Sequence, residues 1–331
     1  MPRGDDLRAT GRQSVHEPVD PIHTWSVRHD VGVTPAIDER ALRDEATALL
    51  RELLRVDTSN PPGGETAAAL VLQRHLEAAG VACELVARDP ARANLVARIP
   101  GSGGGPSLAF LAHTDVVPVD DAAAWTHPPF GGHVDDGYIW GRGAADMKNE
   151  DERIARAAAL PPMLPELVEP LFAMTIAPTR LHGSRALNVM PSEAAVECDC
   201  RPVPGMTLEE VEGELRAALG DDLPYALTFS GDPVGGTISP LETPLYEACR
   251  AWVAENDPEA ILVPTLTNGF TDSHYMREAF GTVAYGFWPI RHTPTAVLHG
   301  GVHARDERIH IDDLGYATRF HIEVAMAINN L

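Results

Sequence analysis

The chain has 331 residues, of which 44% are hydrophobic and 22% charged, so it is long enough to bury the core of one large or two ordinary domains. Acidic residues outnumber basic residues 48 to 26, which gives a net charge of -22 at pH 7. This charge argues against binding to nucleic acid or to an anionic lipid surface, and no stretch of the sequence is apolar enough to cross a membrane.

The cysteines and the N-terminal segment favour a cytoplasmic protein. Cys83, Cys198, Cys200 and Cys249 are too few for a disulfide framework, and none of their spacings matches a zinc-binding CxxC pair. Residues 1–37 mix Pro, Gly and charged residues without a period, which predicts a poorly ordered segment, and they contain no apolar run typical of a signal peptide. We therefore expect reduced cysteines and a cytoplasmic location.

Predicted helices and strands follow one another in the first part of the chain. Apolar residues recur at helical spacing over residues 41–56, and a second helix is predicted over residues 65–79, with Gly80 ending it in a left-handed conformation. Three short apolar runs bounded by Gly, Pro or Asp are typical of buried strands: residues 82–87, 94–99 and 107–112. This pattern predicts an α/β fold whose sheet is covered by helices on both faces.

The middle of the chain has a different pattern. Apolar and polar residues alternate over residues 196–201, which predicts a strand in a sheet with one solvent face. Thr207 and Glu210 form a capping box that begins a helix, and a further strand is predicted over residues 225–229. We interpret residues 161–236 as a smaller α+β insertion.

The α/β pattern returns after the insertion. It comprises a helix around residues 245–253, a strand over residues 282–287 and a last helix over residues 312–329. The sequence therefore predicts one α/β domain in two parts, residues 38–160 and 237–331.

Three segments carry residue types suited to metal chemistry. His113 directly follows a predicted strand and lies two residues before Asp115, and Asp146 follows a glycine-rich turn. His299 and His303 are four residues apart, but the glycines between them favour a loop, so that one of the two is spare. Each signal also has a structural explanation. His113 and Asp115 could simply form hydrogen bonds at the end of a strand, and Asp146 could be an ordinary aspartate in a turn.

Taken together, five motifs in this order form a specific pattern. They are LAHTDVVP, GRGAADMK, NVMPSEA with the strand CDCRPVPG, TDSHYM and HARDERI. The pattern resembles the two-zinc peptidase and deacylase family of acetylornithine deacetylase, succinyl-diaminopimelate desuccinylase, aminoacylase and glutamate carboxypeptidase, over residues 41–330. The resemblance implies a zinc-peptidase α/β catalytic domain interrupted by an α+β lid that usually forms homodimers.

The resemblance also implies roles for single residues. His113 matches a ligand of one zinc, His303 matches a ligand of the second zinc, and Asp146 matches the carboxylate that bridges both ions. Asp115 matches the catalytic-site acid that orients His113. The implied cofactor is a zinc pair, although imidazole and carboxylate ligands also accept cobalt or manganese.

In the lid, Asn188 and Arg201 match the positions that hold the carboxylate of the substrate. The resemblance implies a small peptide or an N-acyl amino acid as substrate. Arg201 is also explained structurally, by an ion pair with Glu197 or Asp199 on the solvent face of its strand. Residues 268–273 resemble a further substrate-lining segment, for which a plain turn is the alternative.

Several residues of the family pattern are missing from this chain. The stretch between Asp146 and Asn188 is too short to contain the adjacent glutamates that activate water and bind a zinc, the further acidic ligand and the lid histidine. Glu150, Asp151 and Glu152 could replace them, but acidic residues at the predicted start of a helix are explained by the helix dipole alone. A block of the catalytic sheet and the start of the lid are therefore absent.

The gap leaves three hypotheses about function. The first is a metal-dependent amide hydrolase that is much slower than an intact relative, and the second is an inactive, truncated relative that acts as a binding or interaction protein. The third is an internal deletion or an error in the gene model. In each case, loss of interior strands is expected to expose apolar surface and to favour aggregation or a partner.

Overall fold

The structure is a computed structural model that describes residues 37–100, 107–146, 148, 174–184, 186–220, 222, 224–229, 235–267 and 269–329. Residues 37–331 group into one compact unit. The poorly ordered segment predicted before residue 37 lies outside the described residues, and so do Glu150, Asp151 and Glu152. No helix in the described part of the chain is long and apolar enough to span a membrane.

The described residues contain helices and strands in mixed order, which confirms the predicted α/β class. The helices are α1 Glu39–Leu54, α2 Glu65–Ala78, α3 Leu208–Leu219, α4 Pro244–Asn256, α5 Ser273–Phe280, α6 Thr295–Gly301 and α7 Ile311–Asn329. The strands are β1 Cys83–Val86, β2 Asn94–Ala97, β3 His133–Asp135, β4 Tyr138–Trp140, β5 Thr175–His182, β6 Ala195–Arg201 and β7 Arg308–His310. They form three small antiparallel sheets: β1 with β2, β3 with β4 and β7, and β5 with β6.

The helix boundaries follow the capping signals of the sequence. Asp38 begins α1, because its carboxylate accepts hydrogen bonds of 3.1 Å from the backbone N–H groups of Arg40 and Ala41. The predicted left-handed Gly80 follows α2 with a φ of +80°. The predicted capping box at Thr207 begins α3 as expected.

Three predicted strands are wrong. Residues 107–112, 225–229 and 282–287 are not strands in the structure. A strand requires a backbone partner, and Ala284 instead exchanges hydrogen bonds of 3.0 and 2.9 Å with the hydroxyl group of Ser239. Because these segments are apolar, the lack of a partner leaves side chains such as Phe110 exposed, at 63% of its surface.

The predicted loop between His299 and His303 is also corrected. Helix α6 continues through Gly300 and Gly301, and only His303 lies in the turn that follows. Glycine inside a helix costs about 1 kcal/mol relative to alanine. Leu298 of α6 is buried in the protein, and this burial offsets that cost.

The β5–β6 hairpin is more exposed than the period-two pattern predicts. The alternation over residues 196–201 does form a strand, but most residues on both faces of the hairpin are exposed, Val196 among them. The sheet therefore lacks a covered face in the described part of this chain.

The main core lies between helices and the three-stranded sheet. Helix α7 packs against α1 and α4. Strand β4, the central strand of its sheet, pairs with β7 and places Ile139 opposite Ile309. Both isoleucine side chains are fully buried, as is Leu54 at the end of α1. Cys249 is buried in the same core on α4, where burial raises the pKa of its thiol to about 11. This core positions the loops that follow α1, β4 and α6.

We predict that Leu54→Ala lowers the free energy of unfolding by about 2–5 kcal/mol, because it removes a buried side chain and leaves a cavity. Denaturant unfolding followed by tryptophan fluorescence measures the change. Leu187→Ala is the matched control, since Leu187 is exposed, and its effect is expected to stay within about 0.5 kcal/mol. Equal losses in the two variants would contradict the assignment of the core.

Candidate active site

The segment that carries His113 and Asp115 is fixed against the loop that follows α1. The hydroxyl group of Thr58 donates a hydrogen bond of 2.5 Å to the carbonyl oxygen of Thr114. The side-chain amide of Asn60 donates a hydrogen bond of 2.9 Å to Oδ2 of Asp115. These contacts hold both predicted site residues in place although the segment before them is not a strand.

Asp146 lies at the end of a tight turn that requires glycine. Gly143 has a φ of +91°, and a Cβ at this position would lie 2.7 Å from Cγ1 of Val116 and 2.8 Å from Cδ of Lys148. The turn therefore packs its backbone directly on the segment after Asp115, which brings Asp146 next to His113.

A buried carboxylate fixes the backbone of the turn. Oε1 of Glu307 accepts hydrogen bonds from the backbone N–H groups of Ala145 and Asp146, at 2.8 and 2.9 Å. Oε2 of Glu307 accepts a hydrogen bond of 2.6 Å from the guanidinium group of Arg142. Glu307 is 0% exposed and Arg142 is 4% exposed, so this ion pair is shielded from solvent. Its loss would release the turn that presents Asp146.

The carboxylate of Asp146 lies between two histidines. Its Oδ2 is 2.5 Å from Nε2 of His303, and its Oδ1 is 3.7 Å from Nε2 of His113. Nδ1 of His113 in turn lies 3.2 Å from Oδ1 of Asp115 and 3.0 Å from the backbone oxygen of that residue. The structure thus brings together all four residues that the resemblance implies for the metal centre.

The carboxylates around His113 favour its protonated form, in which neither nitrogen of the imidazole can bind a metal. The nearby carboxylate of Asp146 raises the pKa of His113 to about 9. The contacts with His113 and His303 hold the pKa of Asp146 well below its usual range. A metal ion must therefore displace a proton from His113 at neutral pH, so the affinity for metal rises with pH.

Lys148 anchors the far side of the turn. Its ammonium group donates hydrogen bonds of 3.3 Å to the backbone oxygens of Leu53 and Val56, at the end of α1. Burial lowers the pKa of Lys148 to about 8. A cation at the C-terminal end of a helix also interacts favourably with the helix dipole.

The imidazole nitrogens and carboxylate oxygens around Asp146 are of the types that bind zinc, but they are fewer than two zinc ions usually require. One carboxylate oxygen of Asp146 faces each histidine, which is the arrangement that a bridging carboxylate needs, and imidazole with carboxylate suits zinc. In the described ranges, no set of three His, Cys, Asp or Glu ligand atoms close enough to hold one ion includes His113, Asp146 or His303. Each ion would have two protein ligands from this part of the chain, where three or four are usual.

The residues expected to bind substrate lie on the exposed hairpin. Arg201 is the last residue of β6, and its guanidinium group lies 3.0 Å from the carboxylate of Asp199. This is one of the two ion pairs that we gave as the structural alternative to substrate binding. A Cβ at Gly269 would lie 4.0 Å from Nη1 of Arg201, so the guanidinium group also approaches the loop expected to line the substrate. Asn188 lies in the exposed turn region between β5 and β6.

Sequence reasoning missed three residues that build the site. Glu307 lies inside the HARDERI motif, and its burial depends on distant contacts with Arg142 that no local pattern shows. Asn60 lies in a Pro- and Gly-rich stretch that predicts only a turn. Lys148 ends the GRGAADMK motif, which is the one signal that could have marked it.

We predict that Glu307→Ala lowers the free energy of unfolding by about 3–5 kcal/mol, because it leaves Arg142 charged and unpaired inside the protein. Chemical denaturation of the purified variant measures the change. Glu247→Ala is the matched control: it removes an exposed ion pair with Arg250 and is expected to cost less than about 1 kcal/mol. A loss for Glu307→Ala no larger than the loss for the control would show that the buried pair does not stabilise the turn.

Two segments of the chain match known protein families. Residues 109–151 match the peptidase family M20/M25/M40, and residues 141–226 match the peptidase dimerisation domain of the M20 group. The first segment contains His113, Asp115 and Asp146, and the second contains Asn188 and Arg201.

Curated relatives match part of the chain. A succinyl-diaminopimelate desuccinylase from Cereibacter sphaeroides is 46% identical over 105 residues, which are 32% of this chain and 27% of that protein. The enzyme of the same name from Paracoccus denitrificans is 46% identical over 110 residues, 33% of this chain and 28% of that protein. The chain thus aligns with little more than a quarter of the length of these relatives.

Solved structures with the same fold are M20 peptidases. The M20 family metallo-carboxypeptidase Sso-CP2 from Sulfolobus solfataricus has a TM-score of 0.63 at 14% identity and covers 87% of this chain and 100% of its own. Human carnosine dipeptidase 1 has a TM-score of 0.59 at 10% identity, with coverages of 88% and 98%. The family-model and curated matches confirm the predicted resemblance to the M20 peptidases and deacylases, and the solved structures show that the fold is shared.

Proposed function

We propose that this chain is a metal-dependent hydrolase of amide bonds in small peptides or N-acyl amino acids. The observation that carries the proposal is the carboxylate of Asp146 between Nε2 of His113 and Nε2 of His303. The similar proteins named above are a desuccinylase, a metallo-carboxypeptidase and a dipeptidase. Their names agree with this class of reaction.

The residues of this chain supply the binding and orientation that such a reaction needs. A pair of bound divalent ions would polarise the amide carbonyl and lower the pKa of water. Asp115 orients His113 through its contact with Nδ1, and Glu307 holds the backbone of Asp146. Fixed ligands of this kind keep a metal site close to one geometry.

We propose that Arg201 and Asn188 receive the carboxylate of the substrate. The guanidinium group of Arg201 is half-exposed and binds the carboxylate of Asp199. A substrate carboxylate would replace Asp199 as the partner of this guanidinium group. The approach of this guanidinium group to Gly269 supports a substrate-lining role for residues 268–273.

We infer that the partner of the chain is a second copy of itself, bound through the lid proposed for residues 161–236. The match of residues 141–226 to a dimerisation domain supports this inference. The exposed apolar side chains of the hairpin support it as well, including Leu181 of β5 at 82% exposure.

The missing glutamates limit the expected rate. Loss of a positioned general base commonly lowers a rate by about 10²–10⁴. The shortage of metal ligands around Asp146 in the described part of the chain favours a second candidate, a non-catalytic binding protein. Substrate turnover separates the two candidates.

We predict slow, metal-dependent release of amines from a panel of N-succinyl amino acids, N-acetyl amino acids and dipeptides. With zinc added, the rate is expected to be about 10²–10⁴ lower than that of the Paracoccus denitrificans relative assayed in parallel, because the general base is lost. Amine release is measured with a fluorogenic reagent before and after addition of a chelator.

Variants assign the activity to the site. His303→Ala is expected to abolish amine release, whereas His75→Ala, which alters a surface histidine paired with Glu45 on α1, is expected to leave it unchanged. Full activity in the His303→Ala variant would contradict the proposal. A rate equal to that of the relative would instead contradict the expected loss of the general base. Substrate binding without any turnover would establish the binding protein instead.

A further inference from the structure

A second group of metal-binding side chains lies outside the site described above. His292, His310 and Asp312 each offer one ligand atom, and these three atoms lie within 4.8 Å of one another. None of the three belongs to the residues that the family resemblance assigns to the zinc pair.

Three different elements supply the group. His292 lies in the loop before α6, His310 ends β7 and Asp312 lies in the first turn of α7. Residues from separate elements converge on one point only if the tertiary structure holds them there, so the scaffold around the group decides whether it is a site.

One buried carboxylate holds the backbone of that scaffold. Asp313, which is fully buried, accepts hydrogen bonds from the backbone N–H groups of Arg291, His292 and Thr293 at 2.7, 2.8 and 2.7 Å. The hydroxyl group of Thr293 donates a further bond of 2.7 Å to Asp313 and accepts one of 2.9 Å from the backbone N–H of His310. The backbone of both histidines is therefore fixed through the same carboxylate.

The rings of His292 and His310 are stacked. Their centroids lie 5.1 Å apart at an interplanar angle of 25°, and the edge of Tyr138 packs against His310 at 5.1 Å and 85°. Nδ1 of His310 accepts a hydrogen bond of 3.2 Å from the backbone N–H of Asp312, so an ion bound at this nitrogen would replace that bond. Oδ2 of Asp312 lies 3.8 Å from the same nitrogen.

Asp312 is the one anionic member of the group, and one of its carboxylate oxygens is paired with Arg43. Arg43 donates a hydrogen bond of 3.0 Å to Oδ1 of Asp312 and fixes the carboxylate, while Oδ2 remains on the side of His310. His292 is exposed and the other two residues are half-buried, so solvent can reach the group and water can complete the coordination. Two imidazoles with one carboxylate select transition metals over magnesium or calcium.

We propose that His292, His310 and Asp312 form a mononuclear site for a divalent transition metal such as zinc, cobalt or nickel. The ion links the loop before α6 to the junction of β7 and α7. The proposal rests on this scaffold alone and is independent of the proposed hydrolase activity.

Cobalt is the probe that tests this site, because its visible absorption reports on its ligands. Equilibrium dialysis of the full chain against Co²⁺ is expected to show that His292→Ala binds one ion fewer per chain than the wild-type protein and loses part of the visible absorption. Since His292 is exposed, the variant is expected to fold, and circular dichroism checks this. Asp312→Asn, which keeps the size of the side chain, is expected to weaken binding of the same ion.

Two comparisons make the result specific. His75→Ala on the surface of α2 is the matched control and is expected to bind as many ions as the wild type. His303→Ala is expected to retain the ion that His292→Ala loses, since it alters only the site around Asp146. Unchanged stoichiometry and unchanged absorption in both His292→Ala and Asp312→Asn would overturn the proposal.

Discussion

The carboxylate of Glu307 is the interaction on which the candidate active site depends. It forms an ion pair with Arg142 in the interior of the protein. It also accepts hydrogen bonds from the backbone N–H groups of Ala145 and Asp146. An unpaired charge at this depth would cost several kcal/mol, so the residue cannot be removed without consequence for the turn. The same turn is closed on its other side by Gly143 against Val116 and by the contacts of Lys148 with the end of α1. The position of Asp146 is therefore set by contacts with the core of the protein.

Around this centre, some apolar segments are exposed. The segment over residues 107–112 is apolar and leads to His113, yet it pairs with no strand among the described residues, and Phe110 on it is exposed. The chain near Ile261 has the same property, since that side chain is 77% exposed outside any helix or strand. Exposed apolar segments of this kind favour association with another chain. Asp115 and Asp146 nevertheless keep defined positions, because Asn60 and Glu307 hold them through hydrogen bonds.

Local patterns in the sequence predicted much of this structure. Capping residues such as Asp38 and Thr207 fixed helix starts, because they act through hydrogen bonds to neighbouring residues. The motif residues around Asp146 were found because their spacing resembles a known family. Glu307 and Asp313 were missed, because their roles arise from contacts with residues far away in the chain. The strand expected over residues 282–287 failed for a related reason: apolar composition indicates burial but does not supply a backbone partner.

Anomalous X-ray diffraction from crystals soaked in zinc tests the central claim most directly, because it locates metal ions without reference to activity. The account holds that Asp146 bridges two ions, one bound by His113 and one by His303. It predicts two peaks of anomalous density that flank the carboxylate of Asp146, each next to one of these histidines. A single peak shared by both histidines, or no peak beside Asp146 when zinc is bound elsewhere on the protein, would contradict the account.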